Sequence, residues 1–121
     1  MPDNNTEQTV VETPVVIAEY TQAGDNIDYT AAEKIEYMQV VPLADRIGIA
    51  LENIAAGDTG TVTLTGAFKL PAADGAIEVG AKVYFDAAAG KVTTTATDNI
   101  PAGYAIEPKT AAAASVVVRI G

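Results

Sequence analysis

The sequence lacks the two residue types that most often carry catalysis and metal binding at neutral pH. Among its 121 residues there is no Cys and no His. The absence of Cys excludes a disulfide framework, a thiolate nucleophile and a zinc-finger site. The absence of His removes the commonest general base and the commonest transition-metal ligand. We therefore expect a protein that is not an enzyme and that needs no cofactor and no metal.

Basic residues are scarce as well. Seven Lys and Arg stand against 16 Asp and Glu, which gives a formal net charge of -9. Such a chain repels the phosphate backbone of nucleic acids and the anionic surface of membranes, and no local basic stripe offsets this repulsion. The N-terminus lacks the basic and apolar regions of a signal peptide, and no apolar run approaches transmembrane length. We expect no nucleic-acid partner, no membrane partner and synthesis in the cytoplasm.

Large aromatic side chains are also few, with no Trp, two Phe and five Tyr. The apolar residues, 49% of the chain, are largely Ala and Val. Small and β-branched side chains favour strands over a helical bundle. Short alternating segments recur roughly every ten residues between turn-forming residues, which is typical of all-β domains. We predict an all-β fold, either a small antiparallel barrel or a sandwich, with an extended N-terminal arm.

The beginning of the chain differs from the rest. Residues 1–13 are polar and turn-rich, with nothing to hold them on a core. Pro14 then precedes the β-prone run Val15-Val16-Ile17-Ala18-Glu19-Tyr20. This run is either the first strand of the domain's own sheet or a strand added to the open sheet edge of a partner, including a neighbouring copy. We predict a flexible arm over residues 1–20 and a single β-rich domain over residues 21–121.

Strand patterns continue along the rest of the chain. Segment 60–70 alternates most regularly, and Gly66 in its middle predicts a bulge or a bend. Segments 81–85 and 91–95 are predicted to form a hairpin. Thr30-Ala31-Ala32-Glu33 matches a helix capping box, but no helical stripe follows it, so at most one helical turn is expected. Further strands are predicted at 15–20, 27–30, 40–41, 46–51, 103–106 and 115–120.

A short unit places a Gly three residues after an Ile. Its copies are Ile54-Ala55-Ala56-Gly57, Ile77-Glu78-Val79-Gly80 and Ile100-Pro101-Ala102-Gly103. The Ile is expected to anchor to the core and the Gly to turn the chain into the next strand. Because the spacings are unequal, no solenoid is predicted. The glycines that we assign to structural turns are Gly57, Gly60, Gly66, Gly80 and Gly90.

One triplet has the residue types of a catalytic motif. Asp58-Thr59-Gly60 matches the triplet of retroviral-type aspartic proteases, in which a homodimer brings two aspartates together. Here it follows Ala55-Ala56-Gly57 instead of an apolar strand, and Gly-Asp-Thr-Gly is a common turn sequence. The remaining carboxylates form no calcium-binding loop. We expect no catalytic, cofactor-binding or metal-binding residue.

Candidate partner-binding residues come from the arm and from the tyrosines. The apolar arm residues suit strand addition to a partner. Tyrosines are enriched at interfaces, but they also lie at the rim of cores with the hydroxyl in water, and for Tyr29, Tyr37, Tyr84 and Tyr104 both interpretations stay open. The residues that we predict to bind a partner are Val15, Val16, Ile17, Tyr20 and Tyr29.

An ordered series of segments resembles the DUF2190 family of phage capsid cement proteins. The segments are GDNIDYT (24–30), IGIA (47–50), IAAGDTG (54–60), TGAFKLP (65–71), IEVG (77–80), KVYFD (82–86), GKVTT (90–94) and VVVRI (116–120). The chain departs from the family pattern in two places. Met38 stands near a position that usually carries Gly, and the leader is longer than the resemblance leads us to expect.

The resemblance implies a structural virion protein made in the host cytoplasm. Such a subunit would bind the outer surface of the expanded capsid and bridge neighbouring copies of the major capsid protein. The resemblance also implies a homo-oligomer, in many cases a trimer, with no active site. A hypothesis from another class is a small β-rich adhesin or ligand-binding module on a phage or bacterial surface. That module would need a concave aromatic site, and the sequence shows no dense aromatic cluster.

Overall fold

The computed structural model describes residues 13–121, and the predictions for residues 1–12 lie outside the described residues. No helix occurs in residues 13–121, so the all-β prediction is confirmed. The strands are β1 (Asn26–Thr30), β2 (Val40–Pro42), β3 (Ile47–Ala50), β4 (Thr59–Thr63), β5 (Gly66–Pro71), β6 (Lys82–Asp86), β7 (Lys91–Thr93), β8 (Ile100–Ala105) and β9 (Ser115–Ile120).

The strands form two antiparallel sheets. The four-stranded sheet has the order β1-β4-β3-β2, and the five-stranded sheet has the order β5-β9-β8-β6-β7. In the second sheet, a parallel bridge joins Ala72, just after β5, to Val92 in β7, so the two outer strands approach each other. The predicted hairpin is confirmed, because β6 and β7 pair antiparallel from Tyr84↔Thr93 to Asp86↔Lys91.

Two apolar clusters form the core. The larger cluster lies mainly on the five-stranded sheet and the smaller one on the four-stranded sheet. All four residues of β3 are buried. Because side chains alternate along a strand, Ile47 and Ile49 pack into the larger cluster while Ala50 packs into the smaller one. A single strand therefore links the two sheets through both of its faces.

The segment predicted as one long strand over 60–70 is two strands in different sheets. β4 ends at Thr63 and β5 begins at Gly66, so the chain changes sheet at Leu64-Thr65. The Leu64 amide donates to the Asp25 carbonyl over 2.7 Å, and the Leu64 carbonyl accepts from Arg46 Nη2 over 2.9 Å. Gly66 has a φ of 128°, a conformation that favours glycine. These bonds from distant residues fix the break, and the local alternation of residues does not reveal them.

No helical turn forms at residues 30–33. The Thr30 hydroxyl, which would cap a helix, lies 2.7 Å from the Thr59 hydroxyl across the β1–β4 pair. The Ala31 amide donates to the Asp58 carbonyl over 2.9 Å. The Thr30 hydroxyl is thus used by the neighbouring strand and not by a helix start.

The two sheets follow the same chain path. The strands correspond in order and in pairing: β1 to β5, β2 to β6, β3 to β8 and β4 to β9. The second sheet has one additional strand, β7. The matching pairs are Ala50↔Val62 with Ala105↔Val118, Val41↔Gly48 with Val83↔Gly103, and Ile35↔Ile54 with Ile77↔Lys109. We call residues 26–63 the first half and residues 66–120 the second half. The domain is therefore built from two copies of one β unit.

The repeated turn unit follows this duplication only in part. In residues 54–57 and 77–80 the Ile forms a β-bridge, and the Gly has a φ of 86° or 87°. The third predicted copy, residues 100–103, lies inside β8 and is not a turn. The counterpart of residues 77–80 in the first half is Ile35-Glu36-Tyr37-Met38. There Met38 takes the glycine position with a φ of 71°.

The other glycines assigned to turns divide into two kinds. Gly90 lies in the β6–β7 turn with a φ of 69°. The Asp86 carboxylate accepts the amides of Ala88 and Ala89 in the same turn, over 3.1 and 3.2 Å. Gly60, by contrast, lies inside β4 and is not in a turn, and a Cβ there would lie 2.5 Å from Ile54 Cγ1. The structure thus needs Gly60 for its small size and not for its backbone conformation.

Candidate functional site

An apolar segment lies outside both sheets at the start of the described chain. Residues 13–23 pair with no strand, and Val15, Val16, Ile17 and Tyr20 are each 83 to 87% exposed. The interpretation of this run as the first strand of the domain's own sheet is therefore wrong. Transfer of such side chains from water into an apolar contact is worth about 1.5–3 kcal/mol each. We call residues 14–20 the arm segment.

The fifth predicted partner-binding residue, Tyr29, lies elsewhere. It is half-buried on β1, where it packs against the smaller apolar cluster and lines an open cleft of about 620 Å³ between β1 and β2. Ile35 and Val41, both buried, also line this β1–β2 cleft. The bridge of Ile35 with Ile54 and the pairing of Val41 with Gly48 hold these two side chains in place.

Sequence reasoning identified one residue of this cleft and missed the others. Ile35 belongs to a turn unit whose last residue is Met38 instead of Gly, so the sequence pattern does not show the unit. Val41 belongs to the short strand β2, whose pairing with β3 became visible only in the structure. The available signal was that Ile35 precedes Val41 by six residues, just as Ile77 precedes Val83 by six residues.

Exposed apolar side chains occur at equivalent positions of the two halves. Tyr37 corresponds to Val79, and they are 61 and 60% exposed, while Leu51 and its counterpart Ile106 are both 38% exposed. In each half the turn lies beside the end of the following strand, because Met38 and Gly80 donate their amides to Ala50 and Ala105, both over 2.7 Å. We call Tyr37 with Leu51 the first apolar patch and Val79 with Ile106 the second apolar patch.

A further concave surface brings two tyrosines together. Tyr84 and Tyr104, on the paired strands β6 and β8, line a cleft of about 340 Å³ together with Pro101. Tyr104 is partly exposed. Two aromatic rings beside a proline form an apolar surface of the kind that ligand-binding sites use.

The Asp58-Thr59-Gly60 triplet lies where a turn leads into β4. Asp58 is exposed, its amide donates to the Ala55 carbonyl, and its carbonyl accepts from Ala31, while Thr59 and Gly60 begin β4. Among residues 13–121, no group of three or more His, Cys, Asp or Glu side chains is placed to hold a metal ion. The same residues include no helix long and apolar enough to cross a membrane.

Comparison with known proteins gives one match. The model of a family described as phage cement protein matches residues 21–120. The match starts directly after the arm segment and covers both halves of the domain. A search of curated proteins and a search of solved structures found no significant match.

Proposed function

Because the chain belongs to the phage cement protein family, we propose that it binds the outer surface of the expanded capsid and holds neighbouring major capsid subunits together. The family is one of structural virion proteins that associate with capsid proteins. In this proposal the protein is made in the host cytoplasm and acts on the shell without catalysis, cofactor, nucleic acid or membrane. The observation that carries the bridging role is the presence of two equivalent apolar patches, one on each half of the domain.

Two equivalent patches suit a lattice that offers the same surface repeatedly. Tyr37 and Leu51 sit on the first half as Val79 and Ile106 sit on the second. Two neighbouring copies of one capsid protein present the same surface twice, so one domain with two similar patches can contact both. Once the first patch is bound, the second binds at a high effective concentration, and two weak contacts act as one strong contact.

The proposal divides the chain into an arm over residues 1–20 and a binding domain over residues 21–121. The arm adds to the affinity through Val15, Val16, Ile17 and Tyr20, because these side chains lose water contact when they pair with the shell or with a neighbouring copy. We propose a symmetric homo-oligomer, with a trimer as the expected state. An oligomer multiplies the number of patches that reach the lattice at once.

The patches are tested with Tyr37→Ser, Val79→Ser and the double variant. Each protein is co-sedimented with expanded, undecorated heads over a range of concentrations. Loss of a buried anchor residue costs more than about 1 kcal/mol, so each single variant should bind at least fivefold more weakly. The double variant should lose saturable binding. Ala88→Ser, at the exposed tip of the β6–β7 hairpin, is the control that should bind normally.

Unchanged binding by the double variant, with its fold intact by circular dichroism, would show that the patches do not contact the shell. Weaker binding by only one single variant would show that the domain uses one patch and does not bridge subunits through both.

A second candidate function rests on the cleft between Tyr84 and Tyr104. A small adhesin on a phage or bacterial surface would bind a glycan or another small ligand in such an aromatic cleft. A glycan array probed with the intact protein and with Tyr104→Ala tests this candidate. Binding of a defined glycan that the variant loses would favour the adhesin, and an array without any signal would remove it.

A further inference from the structure

β7 fills a place in the second half that no strand fills in the first half. It pairs with β6, and the fully buried Val92 forms a parallel bridge with Ala72. The Ala73 amide donates to the Val92 carbonyl over 2.8 Å. β7 therefore lies between the end of β5 and strand β6, and Val92 completes the larger apolar cluster there.

The same place in the first half is the β1–β2 cleft. Ala31 corresponds to Ala72, because each is buried after its strand and donates its amide over 2.9 Å, to Asp58 and Ala114 respectively. The next residue, Ala32, corresponds to Ala73 and lines the cleft. Only residues 43–46 join β2 to β3, whereas residues 87–99 join β6 to β8 and include β7. The first half is thus a copy of the second with one strand missing.

We propose that the β1–β2 cleft receives the arm segment of a second copy of this chain. The added strand would run parallel to β1 and antiparallel to β2, as β7 runs relative to Ala72 and β6. The arm segment supplies consecutive β-branched residues, Val15, Val16 and Ile17, which suit an added strand. One of them would contact Ile35 and Val41 at the floor of the cleft, as Val92 packs in the equivalent place of the second half.

The chain's own arm is too short to make this contact. The strand in the cleft must run parallel to β1, and parallel neighbours need a crossover of about a dozen residues or more. Only residues 21–25 lie between Tyr20 and the start of β1 at Asn26. The occupant must therefore come from another copy. A head-to-tail exchange of this kind closes into a ring where the rotation between copies permits it.

Pro42 limits the strength of the exchange. It occupies the position of Tyr84, which faces β7 in the second half, and it has no amide hydrogen to donate. The added strand is therefore held mainly by backbone hydrogen bonds to the segment at Ala32 and by apolar contact. The exchange should be reversible and should depend on protein concentration.

This inference goes beyond the proposed function, because it concerns the free protein and needs no capsid. The absence of Cys makes a unique label simple to introduce. The Glu19→Cys variant, without ¹⁵N, carries a spin label on its cysteine. It is mixed with ¹⁵N-labelled wild-type protein, and the broadening of the amide signals of the wild-type protein is measured by NMR. The expected result is broadening at Ala32, Ile35 and Gln39 of the ¹⁵N-labelled copy that increases with concentration.

Val16→Asp is the variant that should break the exchange. The Asp side chain would place its charge against the buried side chains of Ile35 and Val41, so the dissociation constant of self-association should rise at least tenfold by analytical ultracentrifugation. Val16 is exposed in the monomer, so the domain should remain folded. Ala112→Asp, which adds the same charge at an exposed turn between β8 and β9, is the matched control and should self-associate like wild type.

The proposal is overturned if the free protein stays monomeric at every concentration, if Val16→Asp associates as strongly as wild type, or if the broadening falls outside the cleft. A monomer in solution that still decorates shells would overturn the arm exchange and leave the cement function standing. Arm exchange without binding to shells would do the reverse.

Discussion

Met38 shows at the scale of one residue how the fold tolerates a side chain where the repeated unit uses glycine. Its φ of 71° lies in the left-handed region, as does the φ of 87° at its counterpart Gly80. That conformation costs a residue with a Cβ about 1–2 kcal/mol. The Met38 side chain is 45% exposed, so its burial offsets little of this backbone strain.

Met38→Gly should therefore stabilise the domain. The relief of backbone strain exceeds the added entropy of the unfolded chain, so the free energy of unfolding should rise by about 0.5–1 kcal/mol. Urea denaturation followed by circular dichroism measures it. Gly80→Ala is the reverse substitution at the equivalent position and should lower the free energy of unfolding by about 1 kcal/mol. A loss of stability in Met38→Gly would mean that the Met38 side chain contributes more than its exposure indicates.

Lys109 is a second departure between the halves, because it takes the place of Ile54 in the bridge to the facing Ile. It is only 4% exposed, and its ammonium donates to the carbonyls of Gly75, Thr110 and Ala111 over 2.6, 3.0 and 3.4 Å. The Lys109 side chain thus connects the turn at Gly75 to the turn at Thr110 and Ala111.

Lys109→Met should destabilise the protein by about 2 kcal/mol, because it leaves carbonyls without their charged donor. Lys91→Met, at an exposed lysine of β7, should change the stability by less than about 0.5 kcal/mol. Thermal and urea unfolding of both variants make the comparison. Equal stability of the two variants would contradict the structural role of the Lys109 ammonium.

At the scale of the elements, each half brings two strands together over a glycine. Gly48 in β3 faces the carbonyl of Thr63, and a Cβ there would lie 3.0 Å from the oxygen. Its counterpart Gly103 in β8 faces the carbonyl of Arg119, with which a Cβ would collide. The close approach of β8 to β9 thus depends on the absence of a side chain.

Gly103→Ala should cost more than about 3 kcal/mol or prevent folding, because strain and collision act together. Gly75→Ala is the control with a similar positive φ but with no atom within 4 Å of the added Cβ. It should cost only about 1 kcal/mol. Circular dichroism and urea denaturation test both variants. A Gly103→Ala protein as stable as Gly75→Ala would show that the two strands can separate without loss.

The sequence predicted most elements, and the elements that it missed depend on distant contacts. The alternation of Val, Thr and aromatic residues was enough to locate β1, β6 and β9, since local side-chain preference decides those strands. It could not separate β4 from β5, because bonds from Asp25 and Arg46 to Leu64 make that break. It also missed the duplication, because Met38 and Lys109 replace the residues that would have shown it.

At the scale of the whole molecule, we expect the arm to add nothing to the stability of the domain but to strengthen its binding to the capsid. Removal of residues 1–20 should leave the Tm unchanged within about 2 °C, because the described arm residues pair with neither sheet. The same truncation should weaken binding to expanded heads by about tenfold or more, because linked contacts are lost. Calorimetry and co-sedimentation measure the two effects. Unchanged binding to heads would show that the arm makes no contact that matters there.

The candidate site was predictable to different degrees in its parts. The arm residues stood out because an apolar run followed a polar leader. They are exposed in the structure, and their binding of a partner stays a prediction. The apolar patches and most of the β1–β2 cleft were not predictable. The sequence left Tyr37 open between an interface and the rim of the core, and Leu51 and Ile35 are recognised only when the two halves are compared. A sequence pattern reports which side chains are apolar, and only the fold reports which apolar side chains lack a neighbour.

Saturable binding of the purified protein to expanded, undecorated heads of the parent phage would test the cement function directly. Co-sedimentation against concentration should reach a plateau at a fixed ratio to the major capsid protein, and unexpanded heads should bind less. A protein that is folded by circular dichroism but does not sediment with expanded heads at any concentration would contradict the cement function.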